Sequence, residues 1–202
     1  YFHGGGWQYG SRAIVQPFCR FLAQEADALV VNPEYRLAPE HPWPAGPEDA
    51  WAVLTHVYAH ADELGIDKGR ITVAGDSAGG NLALVLSLRL RDAGRMLPAA
   101  LLLLSPWTDM TMSGPSYRER ADIDPMLTEA YIRAVREAYA PDADYASPYL
   151  SPLFADLTAL PPALNQVGSH EILYSDAARL HERLDAAGIY SRLEVFEDMW
   201  HV

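Results

Sequence analysis

The run ITVAGDSAGGNLALVLSLRL, residues 71–90, constrains the fold of this chain more than any other stretch. A β-branched, apolar segment reaches Gly75, turns within a few residues and continues as a long helix with apolar residues at three-to-four spacing. Glycines at 75 and 79 bracket Ser77. A strand that passes so abruptly into a helix forces its central residue into a strained backbone, and β-carbons two residues to either side would collide with the turn. The first N–H groups of the helix point toward the serine and favour negative charge that develops beside it. A phosphate-binding loop would need a Lys after its last Gly, where this chain has Asn81 and Leu82. G-x-S-x-G between a strand and a helix is the pattern of a nucleophile elbow, and Ser77 is the expected nucleophile.

The remaining chain supplies the scaffold such a turn needs. Short apolar runs bounded by Gly, Pro and Asp predict strands at Tyr1–Phe2, Leu29–Asn32, Ile71–Ala74, Leu101–Leu104, Ala163–Val167 and Arg192–Phe196. Helical spacing covers Ala13–Ala26, Pro47–Glu63, Ala78–Ala93 and Asp176–Ala187, and Gly94 and Gly188 stop the last two. Alternating strands and helices predict an α/β fold, a mostly parallel central sheet with helices on both faces, within a single domain over 1–202. The stretch 106–162 breaks the alternation. It is rich in Pro, Ser and Asp, with a helix expected at Thr128–Tyr139, and reads as an insertion forming part of a lid or pocket wall.

A serine hydroxyl is a weak nucleophile until a base takes its proton, and a histidine base needs an acid to fix its tautomer. After an elbow the expected chain order is Ser, acid, His. His201 follows the strand Arg192–Phe196 across a short acidic loop, where open α/β sheets keep their sites; His181 lies mid-helix and reads as a solvated residue. For the acid, Glu171 stands just beyond the strand Ala163–Val167 and is favoured. Asp176 is the main rival, although its place at a helix start suits an N-cap, and Asp198 shares the loop of the base. The cycle also needs donors for an oxyanion, and the backbone N–H of Ala78, next after the nucleophile, supplies one.

Composition removes other classes. The 15 Lys and Arg against 27 Asp and Glu leave a formal charge of −12, with no basic run. Nucleic acid and anionic membrane are not expected partners. The longest apolar run, Ala99–Leu104, is strand-length, so no transmembrane segment is expected. Cys19 is the one cysteine, which excludes an internal disulfide. His56 and His60 lie one helical turn apart without the Glu of a metalloprotease pattern, and no metal is expected. The start without Met marks the chain as the expected middle of a longer protein, with the cytoplasm as its expected compartment.

Several motifs together resemble a known family. HGGGW at 3–7, EYRLAPEHPWPA at 34–45, GDSAGGN at 75–81, the GSHEIL stretch and the terminal MWHV are similar to the hormone-sensitive-lipase-like, or family IV, esterases of the α/β-hydrolase superfamily. The resemblance implies a carboxylic ester hydrolase without a cofactor, acting on a small-molecule ester, with a homodimer as the candidate assembly. It places the nucleophile at Ser77, the base at His201, and oxyanion donors at Gly5 and Gly6 beside Ala78. In most relatives the acid is the Asp of G-x-x-D-x-L; here that frame reads Gly168-Ser169-His170-Glu171-Ile172-Leu173. It also implies that N-terminal strands, and a helical cap built from sequence before HGGG, are missing from these residues. Short acyl esters are the expected substrates, with lactone or carbohydrate or xenobiotic acetyl-ester hydrolysis as the alternative. A non-catalytic binding protein on the same scaffold, as in the similar plant gibberellin receptors, would lack the base that His201 provides.

Overall fold

A computed structural model describes residues 1–202. In chain order the elements are α1 (Arg12–Glu25), α2 (Ala45–Ala59), α3 (Ala61–Leu64), β1 (Thr72–Asp76), α4 (Ala78–Asp92), β2 (Ala100–Leu104), α5 (Ser116–Glu119), α6 (Glu129–Tyr139), β3 (Ala163–Gly168), α7 (Tyr174–Ala186) and β4 (Ser191–Phe196). The four strands form one parallel sheet in the order β1-β2-β3-β4, with Gly75 opposite Leu103, Leu101 opposite Ala163 and Gly168 opposite Phe196. Parallel neighbours need crossovers, and helices supply them: α4 packs on β1 and β2, α7 on β3 and β4. The chain has the α/β fold with a parallel sheet that the alternation predicts.

Because every strand runs the same way, all four C-terminal ends lie at one edge of the sheet. Ser77 is the first residue past β1 and Ser105 the first past β2; Glu171 follows β3 and His201 follows β4. One sheet edge thus gathers the residues that the sequence holds far apart.

Helix α4 is buried on nearly every side from Ala78 to Leu90, because Leu82, Ala83, Leu84, Val85, Leu86 and Leu88 leave it no polar face. Its two internal polar groups are satisfied: Ser87 Oγ donates to the Ala83 carbonyl, and Asn81 Nδ2 donates to the carbonyls of Trp107 and Leu150. Gly94 and Gly188 follow α4 and α7 at φ +60° and +75°, the left-handed cap that the glycines predicted. The span read as one helix over Pro47–Glu63 breaks at His60 into α2 and α3.

Two expected strands are reduced. Phe2 makes a single parallel bridge to Gly75, with its N–H on the Ala74 carbonyl. Leu29–Asn32 forms no ladder; its one backbone tie to the sheet side is the Tyr1 amino group on the Val31 carbonyl, and Leu29 is exposed. Apolar, β-branched composition marks such a run as strand-like, but only a partner's hydrogen bonds make it a strand. Cys19 is buried in α1.

Candidate active site

Ser77 sits between β1 and α4 at φ 51° and ψ −116°, a conformation that costs a non-glycine residue on the order of 1–3 kcal/mol. The chain holds it there by packing without side chains. A β-carbon on Gly75 would lie 2.4 Å from the Gly79 carbonyl oxygen, and one on Gly79 would lie 1.9 Å from the Phe2 carbonyl oxygen. The two glycines therefore let the turn close on itself and let residues 2–3 lie against it. The Ser77 N–H donates to the Leu104 carbonyl and its own carbonyl accepts from Trp107 N–H, so β2 and its following loop clamp the turn.

The glycines of HGGGW have local causes of the same kind. A β-carbon on Gly4 would meet the Asp76 carboxylate at 2.2 Å, one on Gly5 the Tyr9 carbonyl at 2.4 Å, and one on Gly6 the Val135 side chain at 2.7 Å; Gly5 and Gly6 also have φ of +104° and +60°. Asp76 Oδ1 accepts from Gly4 N–H at 2.9 Å and from the Tyr1 hydroxyl at 2.6 Å, which ties this loop to the elbow. His3, buried and stacked on Tyr35, bonds the Gly4 carbonyl through Nδ1, while the Tyr35 hydroxyl donates to the His3 carbonyl. The loop is thus fixed from both sides. The N–H groups of Gly5, Gly6 and Ala78 donate to no backbone or side-chain acceptor.

Of the three carboxylates weighed against His201, Glu171 is the one that meets it. His201 Nδ1 lies 2.7 Å from Glu171 Oε2, and both residues are buried. A carboxylate only accepts, so the bond puts the imidazole proton on Nδ1 and leaves the Nε2 lone pair free. The loop carrying His201 is pinned by Ser169 N–H on the Phe196 carbonyl, His170 N–H on the Met199 carbonyl and Asp198 N–H on Ser169 Oγ. Asp198 itself faces solvent and pairs with His170 at 3.4 Å. His181 is half-buried, its Nδ1 3.0 Å from Ser191 Oγ, and not the solvated residue expected.

Asp176 has a different place from either expectation. It lies inside the first turn of α7, whose N-cap position is Leu173, so it is not the cap. Its Oδ2 accepts from the N–H groups of Thr108 and Asp109, across from the loop that follows β2. Burial first, and the nearby Asp109 charge second, push its carboxyl up to about 8 despite those two N–H bonds. Asp109 is itself buried, but hydrogen bonds from Ser113, Thr111 and Arg179 hold it below the usual carboxylate range.

An Asp whose folded pKa is raised stays protonated in the fold while the unfolded chain ionises, so stability falls as pH rises between the two values. Here the window runs from about 4, the unfolded value, to the folded value of about 8, with a slope of up to about 1.4 kcal/mol per pH unit. Asp176→Asn keeps the acceptor for Thr108 and Asp109 and should remove that slope. Urea unfolding of both forms across the window is expected to show the native form losing stability relative to the variant as pH rises; parallel curves would contradict it.

The sequence signals no role for three tethers here. Asn81 holds the Trp107 loop, Ser105 Oγ donates to Glu171 Oε1, and Asp124 accepts from the Met126, Leu127 and Ile172 N–H groups, fixing the turn around Glu171. Each is a common polar residue whose role depends on a partner distant in sequence.

A family model described as alpha/beta hydrolase fold matches residues 1–202. The chain is 43% identical over 206 residues to the carboxylesterase NlhH of Mycobacterium tuberculosis, covering 100% of this chain and 64% of that protein. It is 41% identical to an acetyl-hydrolase of Streptomyces hygroscopicus, over 100% of this chain and 66% of the relative. The chain thus spans slightly less than two thirds of the length of these relatives. Its structure superposes with a TM-score of 0.95 and 41% identity on a crystal structure of an esterase from the bacterial hormone-sensitive lipase family, covering 100% of this chain and 67% of that one. On these matches, the chain belongs to the alpha/beta-hydrolase fold family, in its hormone-sensitive-lipase-like group.

Proposed function

We propose that the whole protein bearing this chain is a carboxylic ester hydrolase acting on short acyl esters through a Ser77–Glu171–His201 triad. The observation that carries the reading is the buried 2.7 Å contact of Glu171 with His201, at the sheet edge where the strained Ser77 also stands. His201 Nε2 takes the Ser77 proton as Oγ attacks the ester carbonyl. The same proton then passes to the departing alcohol, leaving an acyl group on Ser77. Water, deprotonated by His201, attacks the acyl-enzyme; the acyl–Oγ bond breaks, His201 returns the proton to Ser77 Oγ, and the carboxylic acid leaves. Each addition puts negative charge on the carbonyl oxygen, and the unpaired N–H groups of Gly5, Gly6 and Ala78 are its donors in this reading.

The segment 106–162 serves as a pocket wall. Within it, α6 presses Val135 against Gly6, and Gln8 Nε2 donates to the Val135 carbonyl, so α6 adjoins the loop that carries the oxyanion donors. The names of the relatives, a carboxylesterase and an acetyl-hydrolase, support the ester chemistry and a small acyl group. Initial rates of the whole protein on p-nitrophenyl acetate, butyrate and palmitate test the reading. The expected kcat/KM is higher for acetate and butyrate; preference for palmitate would overturn the acyl size, and no turnover of any ester would overturn the activity.

A further inference from the structure

We propose that Ser105 is a positioning residue for Glu171: its hydroxyl fixes one carboxylate oxygen so that the other meets His201. The inference rests on the reading of Glu171 as the acid that orients the base. Ser105 Oγ donates to Glu171 Oε1 at 2.6 Å, the Gly168 N–H donates to that oxygen at 2.6 Å, and Oε2 faces His201 Nδ1 at 2.7 Å. Ser105, Glu171 and His201 are all buried, so water cannot substitute for a missing donor without opening the site.

The extra methylene of Glu gives it one more side-chain torsion than the Asp of the G-x-x-D-x-L frame, and that torsion must be fixed if the carboxylate is to stay on the imidazole. Two donors on Oε1 fix it. The backbone is shaped for the contact: Ser105 has φ 44°, a left-handed conformation that non-glycine residues keep only where their surroundings demand it. Its N–H on the Gln166 carbonyl, at 2.7 Å, anchors the turn to β3, the strand that leads to Glu171. A hydroxyl on a buried carboxylate is a charge-assisted bond, among the stronger that a side chain makes.

A double-mutant cycle on the whole protein tests this, with kcat and KM for p-nitrophenyl acetate measured for the native form, Ser105→Ala, Glu171→Gln and the pair. Ser105→Ala is expected to lower kcat on the order of 10-fold with little change in KM. Added to Glu171→Gln, it should change kcat by less than about twofold, because its route to the base is already cut. The same loss in both backgrounds, or no loss in the native one, would overturn the proposal by making Ser105 a packing residue. An unchanged kcat in Glu171→Gln would instead remove the triad reading, and the proposal with it. Should Ser105→Ala lose its native circular dichroism, Ser105→Gly removes the same hydroxyl at a φ that suits glycine and carries the cycle in its place.

Discussion

Ser77→Ala should reduce kcat on a short p-nitrophenyl ester by on the order of 10,000-fold or more while leaving the fold intact. Losses of that size are what removal of a triad nucleophile produces, because oxyanion donors and binding alone leave a small residual rate. The fold should survive because the Ser77 hydroxyl makes no hydrogen bond within it, whereas the Ser77 backbone makes several. Alanine keeps the same β-carbon at φ 51° and so neither adds nor relieves strain. Circular dichroism and a thermal melt beside the kinetics separate the two effects. A variant that retains more than a few per cent of activity would place the nucleophile elsewhere.

Gly79→Ala should also be strongly damaging, by a route that involves no reacting atom. Its new β-carbon would lie 1.9 Å from the Phe2 carbonyl oxygen and 2.7 Å from that of His3. Both obstacles are backbone, so the only relief is to push residues 2–4 away from β1. That movement breaks the Phe2–Gly75 bridge and pulls Gly4 from Asp76, displacing the loop of Gly5 and Gly6. Losing one oxyanion donor costs on the order of 100- to 1000-fold in rate, and kcat/KM should fall at least that far. Gly69→Ala is the control, since its β-carbon would meet only the Asp67 side chain, at 3.3 Å. Equal activity in both variants would mean that the elbow does not depend on the close approach of residues 2–3.

These two glycine and serine positions were legible in the sequence because their constraint is local. G-x-S-x-G between a strand and a helix states its own geometry, and the long apolar helices and buried strands state theirs. Where the reading went astray, the deciding partner lay far along the chain. Leu29–Asn32 has strand composition without a ladder. Asp176 looks like a helix cap or a triad acid, and becomes a tether only because Thr108 and Asp109 lie across from it. The need for glycine at HGGGW is set the same way, since the atoms that a β-carbon would strike belong to Asp76, Tyr9 and Val135. Ser105 gave no signal, since a serine after an apolar strand is ordinary until β3 brings Glu171 to it.

The central claim is that Ser77 carries the acyl group between the two halves of the reaction. The direct measurement is a rapid acid quench of the whole protein during turnover of p-nitrophenyl butyrate, followed by peptide mass spectrometry. One butyryl group on the peptide containing Ser77, absent from Ser77→Ala, is the expected result. Turnover with an unmodified Ser77 peptide, or acylation of another residue at the rate of turnover, would contradict it.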